Sequence, residues 1–147
     1  CRTRSRPPLA PAAFGHLMQD KFFTVREDQK FLVAKYAETF SELLVEAEYL
    51  DFSNQGWGDG EIQILVEPLK HCRFLRGLSL NMNVIGDVGA QKLSEVLTSC
   101  QSLERLSLTG NHIGDVGASH LATIVKMCPH LEALSLEWNQ IGDMMRV

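Results

Sequence analysis

The residues of this chain with the greatest capacity for chemistry recur at a fixed interval. The hexapeptide IGDVGA stands at residues 85–90 and again at 113–118. A glycine-punctuated turn that opens a helix presents free backbone N–H groups, an arrangement with which many proteins hold phosphate. Cys72, Cys100 and Cys128 share the interval, and thiols so placed could pair or ligate a soft metal. His71 adjoins Cys72 and His130 follows Cys128 closely, which is the raw material of a Cys–His nucleophile. Ser79, Ser107 and Ser135 form a further series, each at the centre of a Leu-Ser-Leu triplet.

Spacing turns each of these toward architecture. The IGDVGA copies lie 28 residues apart, and laying residues 75–102 over 103–130 gives 13 identities in 28 positions. A third copy begins at Leu131 and keeps Leu134, Ser135, Leu136, Asn139, Ile141, Gly142 and Asp143. A weaker one runs through Leu50, Phe52, Gln55, Trp57, Gly58, Asp59, Leu65, Leu69 and Cys72. Self-similarity at a fixed period signals stacked copies of one structural unit. In such a stack the aspartate of GDVGA supplies the negative charge that a phosphate would bring. Thiols on successive turns sit near the helix spacing, beyond the roughly 7 Å Cα limit for a disulfide. Zinc sites use tight C-x₂-C pairs, which the sequence lacks, so the thiols read as buried, reduced filler. His71 and His130 occupy different repeat positions, and neither has a third, orienting group. No H-E-x-x-H, G-x-S-x-G or P-loop sequence occurs. The expectation is a chain that is not an enzyme: no catalytic residue, no metal, no cofactor and no small-molecule substrate.

The elements that must position these residues can be read within one period. Leu78-x-Leu80 alternates with period two, so the leucines point inward and Ser79 outward along one short strand. Strands are predicted near 49–53, 77–81, 105–109 and 133–137. Asn83, Asn111 and Asn139 fall where the chain leaves each strand, where an inward amide can bond backbone groups of adjacent turns. Gln55 is their expected counterpart in the first turn. Asp87 and Asp115 then precede helical apolar patterns, so each is expected to cap its own helix. Helices are predicted near 60–71, 88–99 and 116–127, with a kink at Pro68. Strands about 4.8 Å apart and helices about 8–10 Å apart cannot stack straight, so the array should curve with its strands inside.

The unit LxxLxLxxNxIGDxGAxxLxxxL resembles the ribonuclease-inhibitor type of leucine-rich repeat, over about residues 47–143. The resemblance implies an α/β fold: a right-handed curved solenoid with a parallel concave sheet, outer helices and an N-terminal capping helix. It also implies a protein-interaction role. Repeats of this type occur in NOD-like receptors, where they sense or autoinhibit, and in Ran GTPase-activating proteins, so regulation of a small GTPase is the alternative. No residue of either group maps onto a position here.

Outside the repeats, residues 1–19 carry Arg2, Arg4 and Arg6, three prolines and no acidic side chain, and read as a disordered lead-in. Residues 20–47 read as a capping helix. Within them, Thr24–Glu27 forms a capping box, and Val25, Leu32, Tyr36, Phe40, Leu43, Leu44 and Ala47 mark an apolar face. Residues 48–147 then form a repeat domain of about three and a half units, expected to be a piece of a longer array. The net charge of −4 with no basic stripe gives no reason to expect nucleic acid. No apolar run approaches the roughly 20 residues that span a bilayer. Reduced thiols favour a cytoplasmic setting. The expected partner is another protein, bound on the concave face. Tyr49, Asp51, Ser79, Asn81, Arg105, Ser107, Glu137 and Trp138 are the candidate contacts, since aromatics and arginine are the usual anchors.

Overall fold

A computed structural model of the chain describes residues 5–19, 21 and 26–142. Each 28-residue period supplies one three-residue strand and one helix. The strands are β1 (Tyr49–Asp51), β2 (Gly77–Ser79), β3 (Arg105–Ser107) and β4 (Ala133–Ser135). They form one parallel sheet in chain order. Its register aligns Leu50, Leu78, Leu106 and Leu134 in a single row, as the period requires. Backbone pairing runs past the nominal strand ends: Phe52 N donates to Ser79 O, Leu80 N to Ser107 O and Leu108 N to Ser135 O.

The connecting helices α3 (Asp59–Leu69), α4 (Asp87–Leu97) and α5 (Asp115–Met127) pack in sequence behind the sheet. Leu75, Leu78, Leu80, Ile85, Leu93 and Leu97 of the second turn are buried, as are Leu103, Leu106, Leu108, Ile113 and Leu121 of the third. Apolar positions of every turn thus share one continuous core. Burying each such side chain contributes about 1.5–3 kcal/mol. Pro68 falls one residue before the end of α3. Proline there removes one intrahelical bond, yet α3 ends at the position equivalent to the end of α4, where Val96 replaces it.

Two expectations for the N-terminal region need correction. Residues 5–19 are not a disordered lead-in. Pro11–Gln19 forms α1, and Phe14 stacks on Tyr36 with ring centroids 3.9 Å apart. The Tyr36 hydroxyl both accepts from Leu9 N and donates to Leu9 O, while Trp57 Nε1 donates to Ser5 O at 2.6 Å. Proline-rich composition hid a segment that docks through aromatic contacts. The helix predicted up to residue 47 is α2 (Arg26–Phe40) followed by a π-helical turn, Ser41–Val45. A π turn holds one residue more than an α turn and rotates the side chains after it about the helix axis. Phe40 and Leu44 are buried, but Leu32 and Leu43, assigned to the same face, are exposed. Thr24 of the predicted capping box and residues 143–147 lie outside the described residues.

Candidate functional site

The IGDVGA turns hold their anion internally, though by a different route from the one the sequence suggests. Asp59 Oδ1 accepts from Gly86 N at 2.8 Å and Gly89 N at 2.9 Å. Asp87 Oδ1 does the same for Gly114 N and Gly117 N, at 2.7 and 2.9 Å. Each aspartate therefore caps the helix of the next turn rather than its own. One oxygen takes both the N-cap and N3 donors that a capping box would satisfy with two side chains. The glycines make room for it: a Cβ on Gly117 would lie 2.5 Å from Asp87 Oδ1, and one on Gly89 would lie 2.6 Å from Asp59 Oδ1. The first helix uses Glu61, at the position equivalent to Gly89, whose Oε2 accepts from Gly58 N at 2.8 Å. These donors are occupied and cannot take a phosphate.

The asparagines act in the opposite direction along the stack. Asn111 Oδ1 accepts from Ile85 N of the preceding turn, and its Nδ2 donates to Leu80 O and Leu108 O at 3.0 and 2.9 Å. Asn83 and Asn139 repeat the pattern. Gln55 instead bonds within its own loop and to Ser5. The thiols of Cys72, Cys100 and Cys128 are free and buried. Burial pushes those of Cys72 and Cys100 up to about 11, so at neutral pH they are poor nucleophiles. His71 packs edge-on to Phe40 rather than orienting a thiol. Among the described residues, no group of three His, Cys, Asp or Glu is placed to hold a metal ion. Nor is any helix among them long and apolar enough to cross a membrane.

The sheet face away from the helices carries the eight candidate contacts. Ser53 donates its backbone N–H and its hydroxyl to Asp51 Oδ1, at 2.9 and 2.6 Å, and its oxygen lies 2.8 Å from Ser79 Oγ. Asn81 Nδ2 donates to Ser79 Oγ, while its Oδ1 accepts from Ser107 Oγ and Thr109 N. Thr109 Oγ1 closes the series on Glu137 Oε2 at 2.8 Å. A hydrogen-bonded strip thus links Asp51, Ser79, Asn81, Ser107 and Glu137 across all four turns. The Ser53 hydroxyl, then its N–H, holds the Asp51 carboxyl below the usual carboxylate range. The backbone N–H of Glu137 itself, then the Thr109 hydroxyl, does the same for Glu137. Ser53 and Thr109, which are not among the candidate contacts, complete the strip. Their 28-residue equivalence to Asn81 and Glu137 was the available signal.

Tyr49, Arg105 and Trp138 lie beside this strip without joining its hydrogen bonds. The Tyr49 ring covers Gly77, where a Cβ would meet Cδ1 at 2.6 Å, yet the residue is 58% exposed. Arg105 is exposed between Gly77 and Ala133 in the register, and it makes no ion pair among the described residues. Just after each strand one position takes positive φ in every turn: Asn54 (58°), Met82 (54°), Gly110 (71°) and Trp138 (55°). Met82 leans over Gly110, and Trp138 is 79% exposed.

A repeated strand–asparagine–helix unit with an exposed parallel sheet defines a leucine-rich-repeat class of protein. A Leucine Rich repeat family model matches residues 71–94, 99–122 and 128–143. These three matches support a leucine-rich-repeat reading of the repeat region and are consistent with a protein-interaction scaffold. No curated protein matches it.

Proposed function

We propose that this chain is a non-catalytic protein-interaction scaffold of the ribonuclease-inhibitor-like subtype. Its partner, another protein, lies on the exposed sheet face, the concave side of a right-handed curved array. The N-terminal helices cap the first turn, where Phe40, Leu44 and the Ser5–Trp57 hydrogen bond cover apolar surface. The reading rests on one observation: a prearranged polar strip spans four turns, flanked by the exposed side chains of Tyr49, Met82 and Trp138. A surface whose side chains are already held loses little further freedom on binding. Buried, protonated thiols suit a reducing, cytoplasmic setting.

The test compares polypeptides retained by the wild-type chain with those retained by two variants. Ser79→Arg/Ser107→Arg places bulk and charge on the sheet face, and Val88→Arg/Val116→Arg places it at exposed helix positions. The scaffold reading expects the sheet variant alone to lose its partner. Retention by the sheet variant, or loss from the helix variant alone, overturns it.

The GTPase-regulator alternative narrows to Arg105. Arg105 and Asn81 are the polar groups that could be tried at a nucleotide edge, and Asn81 spends its amide on Ser79, Ser107 and Thr109. Single-turnover GTP hydrolysis by small GTPases, with wild-type chain against Arg105→Ala, tests it: acceleration that disappears in the variant would establish it. The sensor role of NOD-like receptors draws on no residue of its own.

A further inference from the structure

The last turn ends the strip with the largest of the side chains at the positive-φ position, and that side chain is exposed. Equivalent residue pairs are Ser53–Asn54, Asn81–Met82, Thr109–Gly110 and Glu137–Trp138. The second member of each pair has positive φ, a conformation that favours glycine and that asparagine tolerates better than most residues. A tryptophan there is strained, and its exposure means that burial does not offset the strain. Stability alone would select glycine, as at Gly110. An unfavourable backbone conformation retained by a large exposed side chain points to recognition.

The residue beside it indicates what is recognised. Thr109 holds Glu137 Oε2 and so fixes the carboxylate of the residue that precedes the tryptophan. Among the described residues Glu137 forms no ion pair. An exposed indole and a held carboxylate on consecutive residues offer a guanidinium or ammonium group cation–π attraction and charge-assisted hydrogen bonding. We infer that Glu137 and Trp138 form a cation-receiving subsite of the sheet face, taking an arginine or lysine side chain of the partner protein. This deepens the scaffold reading and rests on it.

The two indole N–H groups permit a direct test by NMR on the full chain. Trp57 is buried and donates to Ser5, so its signal serves as an internal reference. N-acetyl-L-arginine amide should shift the Trp138 indole N–H in a saturable way and leave Trp57 unmoved. The uncharged N-acetyl-L-norleucine amide should shift it weakly or not at all. Glu137→Gln should weaken the arginine response about threefold or more. An equal response to the norleucine probe, or an unchanged response in Glu137→Gln, overturns the subsite. Partner retention separates the two readings. If Ser79→Arg/Ser107→Arg loses the partner and Glu137→Gln keeps it, the subsite fails while the scaffold stands. If the sheet variant keeps the partner, the scaffold itself fails.

Discussion

At the scale of single residues, the decisive interactions are those in which one turn's side chain satisfies another turn's backbone. Removing the Asp87 carboxylate leaves the Gly114 and Gly117 N–H groups without a partner. Asp87→Ala should therefore cost about 1–3 kcal/mol in urea denaturation. Gly117→Ala should cost a similar amount, because the new Cβ meets Asp87 Oδ1 and backbone. The double variant should cost less than the sum, since losing the carboxylate clears the space. Asn111→Ala should be more damaging, at about 3 kcal/mol, because one buried amide serves three backbone groups. Both roles were partly legible: an inward asparagine after each strand and an aspartate at each helix start could be read from the period. Which helix the aspartate serves could not be read, because a repeating pattern is equally compatible with self-capping and neighbour-capping. Only the distance from Asp87 Oδ1 to Gly114 decides it.

At the scale of elements, the repeats are closely legible in the sequence and the N-terminal helices poorly so. Each strand lies inside its predicted range, and each outer helix begins at its aspartate. Alternation over three residues and helical spacing over eleven or more leave little freedom in a stack of equivalent turns. The N-terminal segment lacks that redundancy. The π turn at Ser41–Val45 buries Leu44 and leaves Leu43 exposed, and no compositional rule announces such a turn. The thiols give the helix ends a titratable signature. Burial raises Cys72 and Cys100 from 9.0 to about 11, so the fold favours the protonated form. That contribution is fully present below pH 9 and is lost as pH rises through 11. Melting temperature should decline from about pH 9 to about 11, and less steeply in Cys100→Ala than in the wild type. Below about pH 9, thiol-directed reagents should modify these cysteines only after unfolding.

At the scale of the whole molecule, apolar positions that the period buries in earlier turns stand exposed in α5 and after β4. Leu97 is fully buried, whereas its equivalent Val125 is 56% exposed; Met127 is exposed as well, and so is Ile141, whose equivalent Ile113 is buried. Exposed apolar surface of this kind promotes association. Light scattering should show the chain growing in mass with concentration, and Val125→Glu/Met127→Glu should restore a monomer at equal helicity. The sheet face carries a separate expectation. Trp138→Gly should leave melting unchanged or raise it, by up to about 1 kcal/mol of relieved strain, while weakening partner retention. Which face is exposed was legible from Leu-Ser-Leu. The strip that joins its polar groups was not, because it depends on the rotamers that side chains of adjacent turns adopt toward one another. The two sets of crossings also run in opposite senses: aspartate reaches forward to the following turn, asparagine back to the preceding one. A single-residue insertion between Asn111 and Asp115 would throw both handholds out of step at once. Drift in the period is thus resisted from two sides, and an array of this kind changes length most readily by gaining or shedding a whole 28-residue turn.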